Sequence, residues 1–277
     1  MSNNSIKTDV LVIGAGVIGL SICYNLLKKN LNVILLEKEK DFGLGISSRN
    51  TETIHAGIYY KKDSLKKELC IKGKELIYSF CKEFKIKYKK RGKIFIAVNR
   101  NDISRLDKIK HQGEQNGLND LQFLNKNQIK KIEPNIRAEA GLLSPSSGVL
   151  DSYGLMQTLM NLCKDKGLNY SSYAEVNGAE PSKDGWLTSV HEKKNNINYK
   201  IHSDVVINAA GLNSINLSKK IFSDRKFPIL KPTKGAYLKY SGKSPFKHII
   251  YKAILPGKIE ERIDATPNVF DELSFGP

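Results

Sequence analysis

Apolar and polar positions alternate along the chain in two periods. The apolar run Asp9 to Ile13 has the length of a buried strand, and a glycine-rich turn follows it. Helical spacing then runs from about Val17 to Lys29, and Asn32 to Leu36 reads as a second strand ending on Glu37. Asp41 to Thr53, rich in Gly, Ser and Asn, reads as a loop. Ser64 to Phe84 has helical spacing that turns Leu65, Leu69, Leu76, Ile77 and Phe80 toward a core. Lys93 to Val98 is a strand and Ile103 to Asn116 an exposed helix. Asp151 is placed to cap a helix that closes at Gly167. Trp186 to His191 and Val205 to Asn208 are strands, and after Ile215 the pattern turns to strands broken by Pro and Gly.

Helices and strands alternate early, and strands dominate later. The pattern predicts an α/β fold, with a Rossmann-like dinucleotide domain interleaved with a sheet-rich α+β domain. The expected division is 1–88 with 144–215 for the first and 89–143 with 216–277 for the second.

Composition narrows the class without changing the fold. The 277 residues are 40% hydrophobic and 26% charged, ordinary for a globular protein. No apolar run reaches the roughly 18–20 residues of a membrane span. The start, Met1 to Lys7, is polar and carries no secretory pattern. Cys23, Cys70, Cys81 and Cys163 are scattered without metal-site spacing, so reduced thiols and a cytoplasmic location are expected, with no metal site. The net charge of +17 invites a nucleic-acid partner, but only 7 of the 45 basic residues are Arg and 38 are Lys, spread along the chain. Nucleic-acid sites favour Arg forks with interleaved aromatics, so no such partner is expected. The charge also suits weak peripheral contact with anionic lipid at the inner face of a cell membrane.

Gly14-Ala15-Gly16-Val17-Ile18-Gly19 carries the first chemistry. The motif follows an apolar strand and opens an apolar helix. Gly14 permits the tight turn, Gly16 lets the backbone approach a pyrophosphate, and Gly19 lets helix and strand pack closely. The helix N-terminus offers amides and partial positive charge to phosphates. Glu37, 23 residues after Gly14 and followed by Lys38, stands where a carboxylate accepts hydrogen bonds from a ribose diol. That carboxylate disfavours a 2′-phosphate and leaves NAD and FAD both open. The fingerprint occurs once, so one dinucleotide is expected.

The stretch Ser47-Ser48-Arg49-Asn50-Thr51-Glu52-Thr53-Ile54-His55-Ala56-Gly57-Ile58-Tyr59-Tyr60 reads, by itself, equally well as a polar turn leading into a buried strand. It resembles the flavin-contacting loop of the D-amino-acid-oxidase-like superfamily of FAD enzymes. In particular it is similar to the "RN-(S/T)-x-x-IHAGIYY" run of L-2-hydroxyglutarate dehydrogenases and oxidases, with glycerol-3-phosphate dehydrogenases as looser cousins. Val205 to Gly211 resembles a second cofactor-contacting turn, and Tyr173 to Val176 the strand whose backbone touches adenine. Lys231 to Tyr237 resembles the "P-x-(K/R)-G-x-Y" segment that enters the substrate domain.

The resemblance implies FAD as cofactor, held by the glycine turn, Glu37, Lys38, Ser47, Ser48, Arg49, Asn50, Thr51, Val176, Ala209, Ala210 and Gly211. It implies a 2-hydroxy-acid substrate, oxidised by hydride transfer, with electrons passed to a quinone, another carrier or oxygen. His55 is either the base that takes the alcohol proton or a structural histidine beneath the flavin. Tyr60, Lys234 and Tyr237 are the candidate substrate contacts. Oxidation of an amino acid or of glycerol 3-phosphate on the same fold is the alternative, as is a non-catalytic FAD-binding remnant. Two departures stand out. Arg262-Ile263-Asp264-Ala265-Thr266 has Asp264 where the family has histidine, and the chain stops at Pro277 where relatives continue, so a truncated member is expected.

Overall fold

The computed structural model describes residues 6–255 and 263–276. In chain order, the first run gives β1 (Ile6–Ile13), α1 (Val17–Leu27) and β2 (Val33–Leu36). The second gives β3 (Thr53–Ile54), α2 (Leu65–Glu83), β4 (Tyr88–Lys89), β5 (Lys93–Ala97), α3 (Ile103–Gln115), β6 (Gln122–Asn125), α4 (Lys126–Ile132), β7 (Ala140–Ser144) and β8 (Gly148–Leu150). The third gives α5 (Ser152–Asp165), β9 (Asn169–Ser171), β10 (Ala174–Ser182), β11 (Gly185–Glu192), β12 (Ile197–Asn208) and α6 (Ser214–Ile221). The last gives β13 (Leu238–Lys243), β14 (Ile249–Lys252), β15 (Asp264–Pro267) and β16 (Glu272–Gly276). The chain folds into two compact units, 1–50 with 152–233 and 51–151 with 234–277.

The first unit holds a six-stranded sheet of order β10-β11-β12-β1-β2-β9. β1 pairs in parallel with β2, to which α1 carries the chain back, and with β12, which follows β11 in an antiparallel run; β2 pairs in parallel with β9, which follows α5. All four residues of β2 and the last four of β1 are buried, as a doubly covered parallel strand requires. α1 turns Gly19, Leu20, Cys23 and Leu27 inward, and the buried Cys163 thiol of α5 reaches the Leu20 carbonyl at 3.8 Å. Burial pushes the Cys23 thiol up to about 12 and Cys163 to about 11, so both stay protonated.

The second unit holds a seven-stranded sheet of order β13-β16-β15-β14-β5-β7-β6 and a small β3-β8-β4 sheet. β5 lies between parallel β14 and antiparallel β7, and Phe95, Leu142, Ile249 and Tyr251 join Leu106 and Ile109 of α3 in one core. Each fully buried apolar side chain of this kind contributes about 1.5–3 kcal/mol. Asp264 and Ala265 lie on β15 and are buried, while Lys258 to Arg262 fall outside the described residues.

Four features differ from the expectations. Residues 51–88 and 144–151 fold with the second unit, because β3 and β4 both pair with β8, and 216–233 stay with the first. α2 buries Lys74, Tyr78 and Cys81, while Leu65, Leu69 and Leu76 are 67%, 54% and 61% exposed. Tyr78 sets that rotation: its hydroxyl donates to the Ser146 carbonyl at 3.0 Å and lies against Gly148. Periodicity shows which stripe is apolar, not which stripe has a sheet beneath it. α3 is amphipathic rather than exposed, with Leu106 and Ile109 fully buried. Beyond Ser214 the chain forms α6 before the strands resume at β13.

Candidate functional site

The glycine turn between β1 and α1 is fixed from several sides within the first unit. Gly14 has φ +103°, and a Cβ there would stand 2.5 Å from the Ala209 carbonyl oxygen. A Cβ on Gly19 would stand 1.9 Å from the Gly14 carbonyl oxygen, so the turn and the first helical turn exclude any side chain at both positions. The Ala15 amide donates to Glu37 Oε2 at 2.8 Å, and the Glu39 amide to Glu37 Oε1 at 3.0 Å. Glu37 is thus oriented at the strand end by two backbone donors. Its own amide donates to the Ser171 carbonyl, and the Ala174 amide to the Glu37 carbonyl, which places the strand carrying Val176 beside it. Val176 itself is buried in the unit's core. Lys38 is half-buried and lies 3.7 Å from Glu39.

The loop after β2 folds back on the helix start. The Gly43 amide donates to the Ala15 carbonyl at 3.0 Å, and Ser47 Oγ accepts the Val17 amide at 3.0 Å. Ser47 therefore caps α1 with a hydroxyl, and a Cβ on Gly16 would touch that hydroxyl at 3.0 Å. The amides of Ala15 and Val17, expected to wait for phosphate, are held by side chains of the unit itself. Asn50 binds the loop to itself through the Ser47 and Ile46 carbonyls, at 2.9 and 3.2 Å. Arg49 reaches Ser48 twice at 3.1 Å, and Ser48 Oγ donates to the Gly45 carbonyl. The turn after β12 joins the same region: the Ala209 amide donates to the Ile13 carbonyl at 2.8 Å, and Asn208 Oδ1 accepts the Ala210 amide. Gly211 turns the chain there with φ +56°.

The second unit has its own pocket, a cavity of about 170 Å³ lined by residues 55–60, Lys93, Phe95, Ser147 and Tyr251. Lys93, the first residue of β5, is 2% exposed, and its Nζ lies 3.3 Å from His55 Nδ1 and 3.9 Å from the centre of the Tyr251 ring. Cys70 on α2 donates its thiol to the His55 carbonyl at 3.4 Å. Burial pushes the Cys70 thiol and the Tyr60 hydroxyl up, so both stay neutral. Asn116, buried at the end of α3, donates its side-chain amide to the carbonyls of Gly57, Ile58 and Tyr60 at 2.9, 3.2 and 2.9 Å. One amide thereby shapes the turn that carries Tyr59 and Tyr60. Thr51 opens this unit, its hydroxyl 3.1 Å from that of Thr53.

The family model described as "DAO: FAD dependent oxidoreductase" matches residues 9–277. The chain belongs to that family. Over 300 residues it is 32% identical to a protein of Arabidopsis thaliana named L-2-hydroxyglutarate dehydrogenase, mitochondrial, covering 98% of this chain and 62% of that one. It is 31% identical to a glycerol 3-phosphate dehydrogenase of Caloramator mitchellensis, covering 97% of this chain and 55% of the relative. The structure of an L-alpha-glycerophosphate oxidase from Mycoplasma pneumoniae, solved with FAD bound, matches with a TM-score of 0.82 at 23% identity, covering 98% of this chain and 71% of that one; at that identity the likeness shows the fold.

The DAO-family assignment makes FAD the dinucleotide, and the first unit fits its ADP part. Glycines stand where a Cβ would fill the cradle, a carboxylate ends the second strand, and a capped helix N-terminus follows. Within that unit the structure brings together Gly14 to Gly19, Glu37, Ser47 and Ala209 to Gly211. His55 and Tyr60 share the pocket of the second unit, whereas Lys234 lies exposed on irregular chain and the Tyr237 ring packs on Gly276. Neither of those two lines the pocket. The residues missed from sequence are Lys93, Tyr251 and Asn116. Only Asn116-Gly117 carried a signal, as a turn pair ending a helix.

Proposed function

We propose that this chain carries FAD-dependent oxidation of the CH–OH group of L-2-hydroxyglutarate, giving 2-oxoglutarate. One observation carries the reading: an imidazole, His55, lines a small pocket on the segment matching the family's flavin-contacting loop. The 32% identity to the plant enzyme favours this substrate. FAD, when bound, takes up the hydride from the carbon that carries the hydroxyl. The chain's own residues do the rest. Gly14 to Gly19, Glu37 and Ser47 hold the ADP part. His55 receives the hydroxyl proton, a role suited to an imidazole, which can accept at one nitrogen while donating from the other. Lys66 and Lys74 bear electrostatically on Cys70 behind His55, and their field draws in a dicarboxylate. Phe95, Tyr59 and Tyr251 line the cavity with aromatic surface that excludes water. Electrons leave to a quinone, another carrier or oxygen, in a cytoplasmic protein whose excess of Lys suits peripheral contact with a membrane.

The relative from Caloramator mitchellensis favours a second substrate, glycerol 3-phosphate. A panel of L-2-hydroxyglutarate, glycerol 3-phosphate and amino acids, read by dye reduction, separates the readings. Turnover of L-2-hydroxyglutarate above the others is expected; turnover of glycerol 3-phosphate alone transfers the assignment to it.

A further inference from the structure

His55 and Lys93 meet inside the pocket, Nζ against Nδ1 at 3.3 Å. Resting on the reading of this pocket as the site of alcohol oxidation, we propose that the two side chains form one proton-accepting pair. The substrate's hydroxyl proton arrives on His55 Nε2 while the proton on Nδ1 passes to the Lys93 amine. The O–H and Nδ1–H bonds break, Nε2–H and Nζ–H form, and the pair gains one positive charge. The hydride of the same carbon goes to FAD.

The contact itself limits the charge. A hydrogen bond needs one donor and one acceptor. An ammonium facing an imidazolium offers no acceptor and sets two like charges 3.3 Å apart. The pair in contact therefore carries at most one net charge, and only its neutral form can accept a proton from substrate. Burial of one partner supports that form, since Lys93 is 2% exposed and an ammonium is strongly hydrated, while His55 stands exposed beside it.

The surrounding groups act in the same direction. From α2, Lys66 and Lys74 add positive field around Cys70, whose thiol meets the His55 carbonyl, with the Lys74 charge partly offset by Glu75 at 3.3 Å. Tyr59, Tyr60 and Tyr251 line the pocket as phenols. Arg91, two residues before Lys93, is held by Asp271. The Tyr251 ring at 3.9 Å and the Phe95 ring at 5.9 Å act the other way, stabilising the charged Lys93 that proton transfer produces by cation–π attraction.

In the neutral pair Nδ1–H donates to Nζ, and Nε2 is the acceptor nitrogen of the imidazole. That tautomer is a signature readable without turnover. In the FAD-loaded protein, ¹⁵N-labelled His55 is expected to carry its proton on Nδ1 at high pH, and in Lys93→Met to move it to Nε2. A wild-type proton on Nε2 at high pH overturns the pair whatever the substrate proves to be. In kinetics, Lys93→Met removes one of two coupled proton sites, so the acid limb of kcat/KM shifts to lower pH. Its kcat falls on the order of 10–100-fold with KM within about 3-fold. Lys93→Arg, a permanent cation fixing the proton on Nε2, falls further than Lys93→Met. Retained kcat in Lys93→Arg, with a raised KM in Lys93→Met, makes Lys93 a holder of an anionic group and sinks the proposal. Absence of turnover on every hydroxy acid, with the tautomer as expected, counts against the substrate reading alone.

Discussion

Glu37 Oε2 accepts the Ala15 amide hydrogen at 2.8 Å, tying the end of β2 to the glycine turn. The same carboxylate takes the Glu39 amide, so both oxygens are fixed before any ribose arrives. In Glu37→Gln one end becomes a donor facing a backbone N–H, and a charge-assisted bond is lost. That bond is worth about 1.5–3 kcal/mol. FAD titrations should show Kd raised roughly 10–100-fold; an unchanged Kd removes Glu37 from the cofactor site.

Gly19 faces the Gly14 carbonyl so closely that a methyl would stand 1.9 Å from its oxygen, and backbone cannot yield there cheaply. Gly19→Ala is expected to cost roughly 3 kcal/mol and to yield protein poor in FAD. Gly45→Ala is the control, since nothing lies within 4 Å of its Cβ position. Thermal melting with flavin content reads both variants, and equal behaviour of the two contradicts the packing argument.

Asn116 satisfies three carbonyls from one buried amide. Asn116→Ala leaves them without that donor, at an expected cost of about 1–3 kcal/mol. The urea midpoint should fall with an unchanged slope, and kcat/KM should fall with it because the turn carrying Tyr60 keeps only the Gln112 amide as a side-chain donor.

Asp271 accepts from Lys89 at 2.8 and 2.9 Å and pairs with Arg91. Lys89, then Arg91, holds the carboxyl down at about 2, against 3.8 for an ordinary aspartate. A depressed pKa stabilises the fold above 3.8, and the contribution is lost as pH falls toward 2. Asp271 is 53% exposed, so solvent screening limits the effect to on the order of 0.5–1 kcal/mol. Asp271→Asn should melt lower than wild type at neutral pH, with the gap closing as pH approaches 2. A gap that persists in acid shows that packing, not charge, holds the turn.

The first unit was largely legible because its signals are local. Gly14, Gly16 and Gly19 lie within six residues, and a buried strand before them fixed the meaning of the motif. Glu37 was readable from the length of one βαβ turn. The second unit hid its pocket because its members come from distant strands. Lys93 opens a predicted strand, and only the flanking β14 and β7 of the folded sheet bury it. α2 misled for a related reason: its leucines form the clearer stripe, yet Tyr78 is the residue that finds a partner, in Ser146. Lys234 and Tyr237 carried a family pattern, but exposure and packing on Gly276 keep them from the His55 pocket.

FAD binding and the proposed oxidation of a 2-hydroxy acid meet in one observable, the flavin spectrum. The most direct test is the visible spectrum of the purified, FAD-loaded protein before and after anaerobic addition of L-2-hydroxyglutarate. The account predicts a yellow protein whose flavin absorbance bleaches with this substrate and barely changes with glycerol 3-phosphate. A yellow protein that L-2-hydroxyglutarate leaves unbleached contradicts it.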